Sequence, residues 1–197
     1  VYYHPELAFQ FTVPNGWTVE NTPKQVVVGE KEGKAALVLQ AESSAQDLDT
    51  YMQTRAKDFG QYELLRQSGE TVNGFQSRHA YFRVPQEQSE PLAVRLTCIR
   101  KDKMIYSFMA LSAFSTANIY QPTLERAIFS FQQLTDPAYL NRQPSHLTLV
   151  RADGNKTLQG IFSSAGVDRK IWKQLGVFNA IGLESVPDPR QLIKLVK

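Results

Sequence analysis

Cysteine is almost missing from this sequence. Cys98 is the single one among 197 residues, which excludes an internal disulfide and a zinc site built on paired cysteines. Its phase with Leu92, Val94 and Leu96 reads as a small buried hydrophobe rather than a reactive thiol. Histidine is nearly as scarce. His4, His79 and His146 lie far apart, without the spacing of a metal-ligand pair, so no metal site is expected. Long apolar runs are also lacking: Ile105 to Ala113, the greasiest stretch, is soon broken by polar residues, well short of the roughly 18 apolar residues a membrane helix needs. No membrane span is expected. The chain opens on Val1 with no basic, apolar leader before strand-like sequence at Leu7, which predicts a processed product or an excised piece of a longer protein.

One-sided charge is lacking as well. The formal net charge is +3, too small an excess to imply nucleic acid. It is unevenly placed: residues 1–140 hold 13 Lys+Arg and 15 Asp+Glu, net −2, whereas 141–197 hold 9 and 4, net +5. Hydrophobic residues at 42% and charged ones at 21% fit a folded globular chain with a packed core.

Leu7, Phe9, Phe11 and Val13 alternate with polar or small residues, predicting a half-buried strand that Pro14-Asn15-Gly16 turns back as a hairpin-like unit toward Trp17. Gln25–Glu30 and Ala36–Ala41 predict two more strands around the tight turn Lys31-Glu32-Gly33-Lys34. Ser44 and Asp47 resemble a capping pair for a helix whose apolar stripe runs from Leu48 to Phe59 and stops at Gly60. Tyr62–Thr71, Phe75–Val84, Leu92–Arg100 and Met104–Ser112 then predict an antiparallel meander, with turns at Asn73-Gly74 and Arg100-Lys101-Asp102-Lys103. A second helix carries Tyr120, Leu124, Ala127, Ile128 and Phe131 on one stripe, with Pro122 in its first turn. Together these predict an α+β domain, helices packed on an antiparallel sheet, over residues 1–135.

Asp136-Pro137 and Gln143-Pro144 bound a stretch without apolar periodicity, which predicts a linker at 136–146. Residues 147–197 then read strand (Leu147–Arg151), helix (Thr157–Ala165), helix (Asp168–Asn179) and strand (Gln191–Val196), a βααβ order.

Catalytic signatures are absent. There is no His-Glu-x-x-His, no glycine-rich phosphate loop and no Gly-x-Ser-x-Gly elbow, so no catalytic residue is expected. Asp47 and Asp49 open a helix, where carboxylates complement the dipole, and capping is a better reading than an acid–base dyad. Arg100, Lys101 and Lys103 read as a solvated hairpin tip, with a phosphate or acidic-partner site as the alternative. Asn155-Lys156-Thr157 satisfies the glycosylation rule, a common tripeptide that matters only in a eukaryotic secretory pathway.

The tail carries a resemblance. Leu147-Thr-Leu-Val-Arg, Thr157-Leu-Gln-Gly-Ile-Phe, Trp172 to Leu175, Asn179-Ala-Ile-Gly-Leu183 and Leu192-Ile-Lys-Leu-Val196 resemble a LysM domain over roughly 147–197. It departs from the family where Asn155-Lys156-Thr157 stands for Gly-Asp-Thr, Phe178-Asn179-Ala180 for Leu-Asn-Gly, and Ser185-Val186-Pro187-Asp188-Pro189 for the usual Pro-Gly turn. The resemblance implies a glycan groove between the loop before Thr157 and the loop after Asn179, with Asn155, Thr157, Ile181 and Gly182 as candidates. A module that keeps the fold and docks on protein is the alternative.

The opening Tyr3-His-Pro-Glu-Leu-Ala-Phe-Gln-Phe-Thr-Val-Pro-Asn-Gly-Trp17 and the later Ile128-Phe-Ser-Phe-Gln-Gln-Leu134 resemble the segment after the catalytic domain of secreted bacterial HExxH-type zinc metallopeptidases. That resemblance implies a small α+β fold similar in kind to the photosystem II extrinsic subunit and the Mog proteins, a likeness of shape that transfers no function. It also implies a non-catalytic C-terminal accessory region, secreted or periplasmic in a bacterial envelope. Zinc would sit only in the absent catalytic domain, with no cofactor in this chain. Its partners would be peptidoglycan or another envelope polymer, a protein, or that absent domain. The competing expectations are a free-standing cell-envelope binding protein, and a hydrolase whose site would need polar residues of both modules to converge.

Overall fold

The alternation of apolar and polar residues between Phe75 and Ser112 folds, in the computed structural model, into three ten-residue strands. The structure describes residues 1–141 and 146–196, in two units, Val1–Asn141 and Arg142–Lys197.

The first unit runs β1 (Tyr2–His4), β2 (Phe9–Phe11), β3 (Thr18–Asn21), β4 (Val26–Gly29), β5 (Ala35–Ser43), α1 (Leu48–Ala56) and β6 (Glu63–Val72). It continues with β7 (Phe75–Val84), β8 (Leu92–Lys101), β9 (Met104–Ala113), α2 (Ala117–Phe129), β10 (Gln132–Gln133) and α3 (Pro137–Leu140). Seven strands form one antiparallel sheet in the order β3-β4-β5-β9-β8-β7-β6. The chain passes from β5 to the far edge strand β6 through α1, so the helix crosses one face of the sheet.

Strand alternation sends successive side chains to opposite faces, and each face builds its own core. On the α1 face, Ala80, Phe82, Val94, Leu96, Cys98 and Ile105 pack with Leu48, Tyr51, Met52 and Ala56. On the α2 face, Leu37, Leu39, Ile99, Tyr106 and Phe108 pack with Leu124, Ala127, Ile128 and Phe131. Each such aliphatic or aromatic side chain contributes about 1.5–3 kcal/mol on leaving water.

Five expectations change. The opening strand is only Phe9–Phe11, because Ala8 takes a left-handed φ of 48° and its amide closes a turn onto the Pro5 carbonyl at 3.1 Å. β2 is not a hairpin partner of β3; it pairs with β1 and β10 in a separate three-stranded sheet, and Pro14–Gly16 carries the chain from that sheet to the large one. The cap of α1 is Asp47 alone, accepting from the Thr50 amide at 2.9 Å, while Ser44 Oγ accepts from Gln46 N. α2 starts at Ala117, so Pro122 lies in its second turn, and Phe131 belongs to the segment after the helix. Finally, Asp136-Pro137 starts the short helix α3 rather than a linker. Asp136 caps it through Ala138 N at 2.9 Å, proline fits its first position, and Tyr139 stacks on Tyr3 with centroids 3.8 Å apart. Residues 142–145 of the expected linker lie outside the described residues.

The second unit runs β11 (Leu147–Arg151), α4 (Leu158–Ser164), α5 (Trp172–Asn179) and β12 (Leu192–Val196), with β11 and β12 antiparallel. Leu158, Ile161, Phe162, Leu175, Ile193 and Leu195 form its core. A 3-10 turn at Arg169–Ile171, capped by Asp168, leads into α5. Ala180 ends α5 in the left-handed conformation, φ 55°, the position that favours glycine.

Candidate functional site

Two loops of the second unit meet at the start of α4. Thr157 is the helix N-cap, its Oγ1 accepting from Gly160 N at 3.3 Å. The next two helix amides are taken by the other loop: Leu158 N donates to Ser185 O and Gln159 N to Leu183 O, each at 2.9 Å. Asp153 folds the first loop by accepting from the amides of Asn155 at 2.9 Å and Lys156 at 3.2 Å, and these donors hold its carboxyl below the usual range. Gly154, at φ 77°, lies so close to Pro189 that a Cβ would stand 2.5 Å from its Cγ.

The four candidate residues divide. Asn155 and Gly182 are exposed, Thr157 is half-buried with its hydroxyl engaged in capping, and Ile181 packs against the module core. The Ile181 amide is likewise used, donating to Gly176 O at 3.1 Å. Of the four, the exposed Asn155 side chain is the one open to a ligand; at Gly182 the carbonyl accepts from Ser185 N at 3.0 Å. A depression of about 300 Å³ borders the first loop, where Asp153 and Lys156 line it with Val150 and Ile161.

The large sheet holds a second arrangement, a polar cluster under α2. Ser77 Oγ donates to Glu70 O at 2.6 Å, so it accepts from His79 Nε2, 2.8 Å away, and Nδ1 in turn accepts from Thr97 Oγ1 at 3.0 Å. The ring stacks on Phe129 at 5.2 Å. Burial, aided by the charge of Arg95, pushes the His79 pKa down to about 4, so the imidazole is neutral. A serine–histidine nucleophile needs the opposite tautomer, with Nε2 free to take the hydroxyl proton. Ser77, His79 and Thr97 are also buried, which closes the pair to substrate. Beside them Arg95, 2% exposed, pairs with Glu125 and the Tyr81 hydroxyl, its guanidinium 4.8 Å from the Tyr81 ring centroid and 5.2 Å from that of Phe129. Sequence reading missed this cluster, although Ser77, His79, Arg95 and Thr97 sit in the inward phase of their strands.

Several of the other singled-out residues have structural partners. Asp49 pairs with Arg78 at 2.9 Å. The hairpin tip is not simply solvated, which corrects its expected role: Arg100 donates to the Ser44 and Gln46 carbonyls, and the buried Lys101 donates to Leu7 O at 3.3 Å. Only Lys103 of the three is exposed. His4 Nδ1 accepts from Leu7 N at 3.3 Å and its ring stacks on Phe9. His146 is exposed. The buried Cys98 thiol is pushed up to about 12 by desolvation, which keeps it protonated. Among the described residues no three His, Cys, Asp or Glu side chains group as a metal site, and no helix is long and apolar enough to cross a membrane.

No family model matches the sequence, and no curated protein matches it. Solved structures do. Cyanobacterial PsbP from Synechocystis is similar at a TM-score of 0.54 and 16% identity, over 67% of this chain and 90% of that one. A protein from Bacteroides thetaiotaomicron follows at 0.49 and 12%, over 76% of this chain and 53% of that one. LpqN, involved in cell envelope biogenesis of Mycobacterium tuberculosis, matches at 0.49 and 10%, over 63% and 82%. At such identities a likeness speaks for fold alone, and the first agrees with the α+β, antiparallel architecture of the large sheet and its helices.

Proposed function

We propose that this chain is the non-catalytic C-terminal region of a secreted or periplasmic zinc-dependent metallopeptidase, and that its second unit is a LysM-like module holding peptidoglycan or another envelope polymer. The observation that carries the binding role is the pair of hydrogen bonds from Leu158 and Gln159 to Ser185 and Leu183, which join the two loops a LysM-like module would use. The βααβ order with antiparallel β11 and β12 supports the same reading. Catalysis and zinc belong, on this view, to a domain outside this sequence. The first unit contributes a surface for protein or for that domain.

Retention of the chain on purified peptidoglycan at low and high salt tests the module. The net +5 of residues 141–197 adds attraction to anionic polymers that salt screens over about 8–10 Å. Binding that survives salt and is abolished by Thr157→Arg supports a sugar groove. Binding lost in salt alone reduces the module to electrostatics, and none at either salt leaves protein docking. Parentage is tested by the residues encoded before Val1: a His-Glu-x-x-His there supports it, and its absence favours a free-standing envelope binding protein.

A further inference from the structure

The large sheet ends on β6, a ten-residue strand whose outer edge has no neighbouring strand among the described residues. Along it only Val72 is buried, and Leu64 and Leu65 are each 49% exposed. It carries neither the proline nor the lysine with which edge strands commonly resist pairing.

Which backbone groups face outward follows from the hairpin. Asn73 and Gly74, at φ 48° and 87°, form a two-residue turn, so Val72 and Phe75 oppose each other as a hydrogen-bonded pair, and every second residue back along β6 does the same. The Glu70 carbonyl has this phase, accepting from Ser77 Oγ on β7 at 2.6 Å. Ser68 and Arg66 therefore also turn their backbone groups to β7, whereas those of Gln67, Gly69 and Thr71 point off the sheet. The bulge between Leu64 and Arg66 ends this regular phase.

The side chains add a charge pattern. Arg66, Ser68 and Glu70 lie opposite Tyr81, His79 and Ser77 and so share the α2 face. Arg66 and Glu70 are exposed, and neither side chain makes a hydrogen bond or ion pair with a described residue. Four residues apart on one strand, their Cα atoms are about 13 Å from each other, too far to pair. A second β6 running antiparallel must set outward-facing residues against outward-facing residues, so the twofold axis has to pass through a residue. An axis through Arg66 or Glu70 brings like charges together, and one through Gln67 or Gly69 leaves both charges without an opposite partner. An axis through Ser68 places each Arg66 directly opposite the other copy's Glu70, with Gln67 and Gly69 exchanging hydrogen bonds beside them.

We propose that two copies of this chain associate through β6, antiparallel about Ser68, joining the two large sheets into one. The Arg66–Glu70 pairs fall at non-hydrogen-bonded positions, where side chains come closest. These self-matching charges single out a second copy over an unrelated extended peptide. The inference goes beyond the polymer-binding role of the second unit and stands whether or not that role does.

Sedimentation velocity of the full chain from micromolar to millimolar concentration tests it. The weight-average mass is expected to rise from one chain toward two, less steeply in high salt because the charge pairs are screened. Glu70→Arg and Arg66→Glu should each raise the dimer Kd about tenfold or more, since each replaces two attractive pairs by two repulsive ones. Arg66→Glu together with Glu70→Arg should restore it, a rescue that exchange within one strand cannot produce at about 13 Å. Under mild oxidation Ser68→Cys should give a disulfide-linked dimer, its two Cα atoms being about 4.5 Å apart, whereas Gln67→Cys, offset to about 8–9 Å, should not. The buried Cys98 adds no background link. A chain that stays monomeric at millimolar concentration overturns the proposal, as does a dimer that the double exchange fails to restore, or one that links through Gln67→Cys as readily as through Ser68→Cys. If a charge reversal prevents folding, the two cysteine variants decide.

Discussion

Asn179 and Lys194 hold each other by two hydrogen bonds, the Asn179 side-chain nitrogen donating to Lys194 O at 2.9 Å and its oxygen accepting from Lys194 N at 2.7 Å. The same nitrogen also donates to Leu175 O at 2.8 Å. One side chain therefore ties the end of α5 to the free edge of β12, satisfying strand groups that would otherwise lack a neighbour. Asn179→Ala should cost the second unit about 2–4 kcal/mol, since paired backbone groups lose their partner together. The first unit should be unaffected. Urea titration followed by Trp172 fluorescence reads the second unit, and an unchanged midpoint would remove the bracket from the account.

His79 predicts a pH dependence. Its folded pKa is lowered, to about 4 against an ordinary 6.5, so between those values the unfolded chain takes up a proton that the folded chain does not. Stability is then fully present above pH 6.5 and is lost as pH falls toward 4, by about 3 kcal/mol in all. His79→Gln, which keeps a donor and an acceptor for Ser77 and Thr97, should flatten the difference by up to one proton across that window. Equal pH slopes of the urea midpoints for both proteins would place the proton elsewhere.

Arg95 and Glu125 predict a non-additive pair. Arg95 is buried, whereas the Glu125 side chain is 42% exposed, so solvent already screens part of the attraction. Glu125→Leu should destabilise the first unit by about 2 kcal/mol, because it leaves a buried guanidinium with only a hydroxyl and two ring faces. Arg95→Met together with Glu125→Leu should recover most of that loss by replacing the pair with apolar packing. Thermal unfolding of the four proteins closes the cycle, and additive losses would show that the two residues act separately.

The parts of this fold that were legible in sequence are those decided within a few residues. Alternation along Phe75–Val84 and Met104–Ser112 and the Asn73-Gly74 turn each name their own structure, and β7, β9 and α4 match within about a residue. β1, β3 and β10 are two to four residues long, too short for any period to show, and they exist because distant strands supply their pairing. α2 begins upstream of where Pro122 suggested because tertiary contacts hold its first turns, among them Gln121 Nε2 donating to Ala93 O at 3.2 Å. The polar cluster stayed hidden because Thr97 and Phe129 reach His79 from β8 and α2, although Ser77 lies two residues from it on β7. In the candidate loops, the sequence marked the start of α4 to within a residue, but not that Thr157 would cap it or that Ile181 would turn inward.

Two left-handed positions in the second unit predict substitutions of opposite sign. Ala180 sits at φ 55°, where a Cβ crowds its own carbonyl at a cost of about 1–2 kcal/mol. Ala180→Gly removes that strain while adding some unfolded-chain entropy, and the net should be a gain of up to about 1 kcal/mol. Gly154 sits at φ 77° against Pro189, with 2.5 Å between the missing Cβ and the proline Cγ. Gly154→Ala therefore meets both backbone strain and a contact that only movement of the Pro189 loop relieves, and should cost about 2 kcal/mol or more. Since that movement would part the two loops joined at Leu158 and Gln159, Gly154→Ala should also weaken salt-resistant retention on peptidoglycan, while Ala180→Gly raises the unfolding midpoint and leaves retention unchanged. A Gly154→Ala protein that keeps both its midpoint and its retention would mean that the loop apposition contributes neither stability nor binding.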